Sequence, residues 1–168
     1  MPPLLVRSQR VVLPDGVRPA TIRVQDGRIA AIEPHAAATG NNPQDITVID
    51  AGSAVVMPGL VDTHVHINEP GRTDWEGFDT ATLAASAGGV TTLVDMPLNS
   101  VPATTTVAGL EAKRRAAEGK CHVDVAFWGG VVPGNARDIE PLARAGVRGF
   151  KCFLLSRCRS PEALDSID

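Results

Sequence analysis

The residues best suited to chemistry in this sequence are two histidines, His64 and His66, separated by one residue. If residues 60 to 67 form a β-strand, both side chains point to one face, together with that of Asp62. Two imidazoles on one face can grip a cation, because neutral histidine is a common metal ligand. The alternative is a pair of hydrogen-bonded histidines at a strand end. The apolar residues before the pair and the Glu-Pro-Gly loop after it favour a metal site.

A lysine in an apolar segment, Lys151 in the stretch GFKCFLL, is the second candidate for chemistry. Burying a lysine inside a parallel strand is costly unless its lost hydration is compensated. One explanation is that the side chain reaches water at a strand end. The other is that a lysine of low pKa takes up carbon dioxide, which converts a cation into a carboxylate able to bridge two metal ions. The residues by themselves leave both explanations open.

The segment that carries these residues alternates between strand and helix patterns. Thr73 and Glu76 have the spacing of a capping box, and Glu111 and Arg115 have the register of a helical ion pair. The strands are nearly continuous apolar runs, which is typical of parallel strands buried on both faces of an α/β fold. We predict strands over residues 60–67, 90–95, 122–127 and 147–154, helices over 75–87, 104–118 and 137–145, and a further helix from 160.

The residues before this segment predict short β-structure without chemistry. Asp26-Gly27 has the form of a tight hairpin turn. We therefore predict a small β-sheet part over residues 1–57 and an α/β domain over residues 58–168. The predicted strands of the first part are 4–13, 21–24, 28–32, 46–49 and 54–57.

Composition narrows the class of protein. A length of 168 residues suits one ordinary domain, and a net charge of −3 gives no sign of binding to nucleic acid or membrane. The sequence shows no signal peptide and no transmembrane span. The odd number of cysteines, Cys121, Cys152 and Cys158, argues against a disulfide framework and lacks zinc-ribbon spacing. These features favour a reduced, cytoplasmic setting.

Several motifs together resemble a known group of enzymes. The N-terminal β-part, PGLVDTHVH, GVTTLVDMP and GFKCF resemble the cyclic-amide hydrolases of the amidohydrolase superfamily. Within that group, HINEPGRTDWEGF, DMPLNSVPATT and FWGGVVPGN are most similar to the allantoinases. Hydantoinases are also similar but differ around residues 67 to 72. Dihydroorotases carry an arginine for a substrate carboxylate where this chain has Asn68.

The resemblance implies a fold and a metal centre. Residues 58–168 would form the first four strands of a (β/α)8 barrel, after the N-terminal part of a composite β-sandwich domain. His64 and His66 would bind one of two zinc ions, and a carboxylated Lys151 would bridge both. Asp62 would orient the histidines.

The resemblance also implies a reaction and an assembly. Water activated by the zinc ions would hydrolyse the cyclic amide bond of allantoin to give allantoate. Asn68 and Asn99, in loops after the first two barrel strands, are expected to contact that substrate. The small molecule is the expected partner, with neither nucleic acid nor membrane. The complete enzyme is expected to be a homo-oligomer, a tetramer.

The chain ends before the family pattern does. The resembled enzymes have two further metal-binding histidines and a catalytic aspartate on later strands, and a full barrel takes about 250 residues. The chain is therefore expected to be an N-terminal fragment, inactive and poorly soluble when expressed separately. Two alternatives stay open: a fragment of a hydantoinase- or dihydropyrimidinase-like hydrolase, and a short non-catalytic chain that acts as a binding or assembly partner.

Overall fold

The computed structural model describes residues 3–36 and 46–153, and its contacts divide the chain into two compact units, Met1–Pro58 and Gly59–Asp168. Within the described residues, the first unit has one sheet and the second has two. The helix predicted from residue 160 lies outside the described residues, as do Cys158 and the end of the last predicted strand.

The first unit is an open β-sheet, as the alternating sequence pattern predicts. Its order is β3-β2-β1-β4, with β5 also paired to β1. The β1–β2 and β2–β3 pairs are antiparallel, and β4 and β5 run parallel to β1. The hairpin at Asp26-Gly27 is confirmed, since both residues have positive φ, +51° and +74°. The strands are β1 (Leu4–Leu13), β2 (Gly16–Gln25), β3 (Arg28–Pro34), β4 (Thr47–Asp50) and β5 (Val55–Val56).

The second unit alternates strands and helices, so the predicted mixed α/β fold is confirmed. Parallel pairing gives the order β6-β7-β8, and the short strands β9 and β10 pair in parallel with each other. The elements are β6 (Leu60–Val65), α1 (Phe78–Ala87), β7 (Val90–Asp95), α2 (Val107–Ala117), β8 (Asp124–Phe127), β9 (Gly129–Gly130), α3 (Ala136–Arg144) and β10 (Phe150–Lys151).

The core of the second unit lies between its helices and its sheet. Each helix contributes one fully buried hydrophobic side chain, Phe78 from α1, Leu110 from α2 and Leu142 from α3. They pack with Leu93 of β7 and Phe127 of β8, and the rings of Phe78 and Phe127 meet edge to face at 6.2 Å. Within residues 3–36 and 46–153, no helix is long and apolar enough to cross a membrane.

The predicted start of the first helix is wrong. α1 begins at Phe78 rather than at Trp75, and Thr73 and Glu76 do not form a capping box. The amide of Phe78 instead donates to Oε2 of the buried Glu69, at 3.0 Å. A carboxylate from the preceding loop therefore takes the place of a local cap, and the residues between Glu69 and Phe78 form turns instead of a first helical turn.

Other differences have local causes. β6 ends at Val65 instead of residue 67 and is exposed rather than buried on both faces, because it lies at the edge of the described sheet. Glu111 pairs with Arg114 at 2.6 Å, one position before the predicted Arg115. The third and fourth strands are shorter than predicted, with regular pairing confined to β8 and to β9 with β10.

Candidate metal centre

The candidate metal-binding residues lie at the carboxyl ends of parallel strands. His64 is the next-to-last residue of β6, and Lys151 is the last residue of β10. His66 follows β6 directly. β6 pairs in parallel with β7, and β10 pairs in parallel with β9; the carboxyl ends of β6 and β10 bring residues far apart in sequence to one edge. In α/β folds this edge is the usual position of ligand sites.

The structure brings His64, His66 and Lys151 together. Nζ of Lys151 lies 3.3 Å from Nε2 of His64, across 87 residues of sequence. The rings of His64 and His66 have centroids 5.5 Å apart and planes inclined by 46°. Two imidazoles and an amine therefore face one region, as a shared cation requires.

The surroundings of His66 favour its neutral imidazole. Nζ of Lys151 and Nε2 of His64 are within hydrogen-bond distance, and the tautomer of His64 decides which of them donates. The ring of His66 is partly surrounded, although the residue is exposed as a whole. That burial, followed by the charges of His64, Lys151 and Lys113, lowers the pKa of His66. A neutral imidazole is the form that binds metal ions.

This donor set fits part of a metal site. Among the described residues, no group of three or more histidine, cysteine, aspartate or glutamate side chains is arranged to hold a metal ion. A catalytic zinc ion normally has about three protein ligands. His64, His66 and Lys151 supply donors of the right chemistry, with Lys151 becoming an oxygen donor only after a change of its amine.

Asp62 contacts the main chain of His64. Its Oδ1 accepts a hydrogen bond from the His64 amide at 3.0 Å, and the side chain is exposed. The pairing of β6 with β7 is irregular between Asp62 and Val65, so this contact supports the backbone where the ladder is interrupted. A role for Asp62 in orienting the imidazole rings stays a prediction.

The two predicted substrate-binding asparagines occupy different loops. Asn68 is buried in the loop after β6. Its main-chain N–H donates to the main-chain carbonyl of Glu76, and its main-chain carbonyl accepts from the main-chain N–H of Arg72. Its Oδ1 is buried and has no hydrogen-bond partner within the described part of the chain. Asn99 follows β7, is half-buried and has a left-handed φ of +76°, which asparagine tolerates. Their contact with a substrate stays a prediction.

The motif-based reading missed a buried ion pair beside this centre. Oδ1 of Asp95 accepts from the amide of Ile67 at 2.7 Å, and Oδ2 accepts from Nζ of Lys113 at 2.6 Å. Both charged side chains have no exposed surface. Burial raises the pKa of Asp95 to about 6 and lowers the pKa of Lys113. The pair therefore links the end of β7 to the residue after His66.

The sequence is similar to known proteins over nearly its whole length. A profile of the Amidohydrolase family matches residues 55–158. The chain is 56% identical to an allantoinase of Streptomyces avermitilis over 162 residues, which cover 96% of this chain and 35% of that protein. It is 50% identical to the mitochondrial allantoinase of Aquarana catesbeiana over 153 residues, 90% of this chain and 31% of that protein.

The fold is similar to that of a solved enzyme. The L-hydantoinase (dihydropyrimidinase) of Arthrobacter aurescens matches with a TM-score of 0.81 and 34% identity, over 95% of this chain and 35% of that one. The chain thus spans about a third of the length of the proteins that it matches. Because the family profile matches well over half of its residues, the chain belongs to the amidohydrolase family.

Proposed function

We propose that this chain is the N-terminal part of a metal-dependent hydrolase that opens the cyclic amide of allantoin to give allantoate. The observation that carries the proposal is the 3.3 Å contact between Nζ of Lys151 and Nε2 of His64, beside the ring of His66. Extensive identity with allantoinases supports this choice of substrate. Members of this superfamily generally bind divalent metals, which is consistent with the donors present.

Two zinc ions are the proposed cofactors. His64 and His66 would hold one of them, and Lys151 would be shared by both. For that role the neutral amine of Lys151 forms a C–N bond to carbon dioxide and releases one proton, which leaves a carbamate with two oxygen donors. Zinc, when bound, lowers the pKa of water and polarises a carbonyl group. The chain's own contribution is to hold a carboxylate and two imidazoles in one place.

The remaining candidate residues would support the metal ligands and select the substrate. Asp62 holds the backbone of His64, which limits the movement of that ligand. The buried Oδ1 of Asn68 is an acceptor that a substrate N–H group would satisfy. Asn99 would present its amide from the loop after β7. Both asparagines are neutral, which suits allantoin because its ring system carries no carboxylate.

The proposal includes the architecture of the complete enzyme. The parallel strands from β6 to β10 would be the first half of a (β/α)8 barrel, and residues 1–57 would belong to a composite β-sandwich domain. We also propose a cytoplasmic homotetramer with no nucleic-acid partner. The open parallel edge of β6 supports closure by further strands, because unpaired edges are normally covered in native proteins.

A hydantoinase- or dihydropyrimidinase-like activity is the second candidate. The observation in its favour is the similarity in fold to the L-hydantoinase of Arthrobacter aurescens. Allantoin itself contains a hydantoin ring, so the same donors would serve either substrate. The greater identity to allantoinases supports the first candidate.

The test is a comparison of substrates with the full-length gene product, purified in the presence of zinc and bicarbonate. We expect turnover of allantoin to exceed that of hydantoin, dihydrouracil and dihydroorotate. A variant with His64→Ala serves as the background control. Preference for hydantoin or dihydrouracil would favour the second candidate. Turnover of none of these rings above the control would favour the non-catalytic alternative.

A further inference from the structure

One tryptophan connects the strands that carry the candidate ligands. Trp128 lies between β8 and β9, and its main-chain amide donates to the carbonyl of Asp95 at 2.9 Å. Its indole Nε1 donates to the carbonyl of Thr63, on β6, at 2.9 Å. Thr63 is the residue before His64. The indole therefore reaches across β7 to the strand that ends at the metal ligands.

The same indole rests against β10. A Cβ atom added to Gly149 would lie 2.2 Å from Cζ3 of Trp128 and 2.9 Å from its Cε3, so the ring occupies the space of a side chain. The arrangement is reciprocal, because a Cβ added to Gly129 would lie 2.8 Å from Cε1 of Phe150. The amide of Gly129 also donates to the carbonyl of Gly149 at 2.9 Å. At the start of both strands, a glycine of one segment thus lies against an aromatic ring of the other.

These contacts lie close to both candidate ligands. Gly149 directly precedes β10 and lies two residues before Lys151. One rigid side chain therefore packs against the residue that precedes β10 and donates a hydrogen bond to the residue before His64. The indole suits this role because it joins a flat apolar body to a hydrogen-bond donor at one edge.

The spacing between the ligands needs such support. His64 and Lys151 are groups that can each carry positive charge, and their contact of 3.3 Å is not an attraction between opposite charges. Pairing between strands does not bring them together directly, because β6 and β10 belong to different described ladders. The Arg148 amide donates to the carbonyl of Phe127 at 2.9 Å, which joins β8 to the residues before β10. Trp128 adds a side-chain contact that reaches from the end of β8 directly to β6.

We propose that Trp128 is a positioning residue that sets the distance between His64 and Lys151. The inference rests on the proposed function, since it concerns the same metal centre. It assigns to Trp128 no contact with substrate or metal. Gly149 is its complement, because only a residue without Cβ leaves room for the ring.

The test measures zinc affinity in the full-length gene product, by competition with a chromophoric chelator in bicarbonate buffer. Trp128→Phe removes the indole donor and keeps an aromatic ring, whereas Gly149→Ala displaces the ring. The matched controls are Trp75→Phe, at an exposed tryptophan, and Gly88→Ala, where a Cβ would meet no atom closer than 3.5 Å. Leu142→Ala serves as a variant that loses stability in the buried core.

We expect zinc affinity to fall about tenfold in Trp128→Phe and in Gly149→Ala, because partners outside the ligand set typically tune metal affinity by this amount. Both controls should bind zinc as the wild-type protein does, as should Leu142→Ala at temperatures well below its unfolding. Combining Trp128→Ala with Gly149→Ala should give no further loss beyond Trp128→Ala, because the added methyl group then meets no ring.

A second measurement reads the contact without metal. In spectra of protein labelled at the indole nitrogens, the Trp128 signal is identified by its absence from the Trp128→Phe spectrum. We expect its Nε1–H to exchange slowly with solvent, and quickly after Gly149→Ala. Unchanged zinc affinity and unchanged exchange in Gly149→Ala would overturn the inference alone. Failure of the wild-type protein to bind zinc would overturn both the inference and the proposed function.

Discussion

Lys113 on α2 donates a hydrogen bond of 2.6 Å to Oδ2 of Asp95 at the end of β7, and neither side chain has exposed surface. The same ammonium donates to the carbonyl of Met96 at 2.9 Å, and Oδ1 of Asp95 accepts from the amide of Ile67. The pair therefore holds the turn after β7 against the residue that follows His66. A buried pair of this kind is costly to break, because either partner left by itself is an uncompensated charge.

Replacing Lys113 with methionine should destabilise the protein by about 3–5 kcal/mol, because Asp95 would stay buried without its cation. The double variant Asp95→Asn with Lys113→Met should be more stable than Lys113→Met by about 1 kcal/mol or more, since no unpaired charge remains. Urea unfolding measures both values. The matched control is Arg115→Met, on the exposed side of the same helix. Equal stability of the single and double variants would contradict the coupling.

Glu69 connects the loop after β6 to two helices. One of its carboxylate oxygens accepts from the amide of Phe78 at the start of α1, and the other pairs with Lys120 beyond the end of α2. Glu69→Ala should lower the free energy of unfolding by about 1–2 kcal/mol, the usual cost of losing a helix cap. Thermal unfolding beside Glu118→Ala, at an exposed position, provides the comparison. A loss no greater than that of the control would mean that water caps α1 equally well.

The sequence predicted the bounds of an element well where neighbouring residues determine them. β1 and β7 have the predicted bounds, because β1 ends at the turn of Pro14-Asp15-Gly16 and β7 begins directly after Gly89. The side chain of Thr106, inside the predicted helix range, caps α2 by accepting from the amide of Gly109 at 3.1 Å. The start of α1 was missed because its cap, Glu69, comes from an earlier loop that no residue spacing at the helix itself reveals.

In the candidate site, too, residues adjacent in sequence were predicted and a contact made by tertiary packing was not. His64 and His66 were found from adjacent residues, whereas the ion pair of Asp95 with Lys113 depends on packing between a strand and a helix. A signal for it does exist, since Lys113 occupies the helical face of the buried Leu110 and Ala117. A lysine on such a face requires a buried acid as a partner. Which acid it is depends on the tertiary fold.

Acid should weaken the sheet of the first unit. The Gly52 amide, followed by Arg7, lowers the pKa of Asp50 below its ordinary 3.8, and a hydrogen bond from Arg23 lowers the pKa of Glu33 below 4.5. A carboxyl with a depressed pKa stabilises the fold above the pKa of the unfolded chain, and this stability is lost as pH falls through the folded value.

The unfolding midpoint should therefore decline as the pH is lowered from about 5 to below 3, the range that spans these ordinary and depressed pKa values. In the variant that combines Asp50→Asn with Glu33→Gln, the decline should be shallower, because neither side chain then titrates. Thermal unfolding at a series of pH values measures the slope. Parallel slopes in the variant and the wild-type protein would show that other carboxyl groups control the acid response.

Lys151→Ala in the full-length gene product should lose bound zinc and allantoin hydrolysis together, with affinity reduced by more than about a hundredfold. The physical reason is that a carbamate on Lys151 would neutralise two adjacent cations, and without it their repulsion is unrelieved. Short carboxylic acids such as acetate or propionate should partly restore both properties, because they supply a carboxylate where the side chain is missing. Metal content and turnover are measured side by side, with Arg137→Ala as a control at an exposed cation. If the Lys151 variant keeps a full complement of zinc and normal turnover, Lys151 only packs against its neighbours and the proposed centre is wrong.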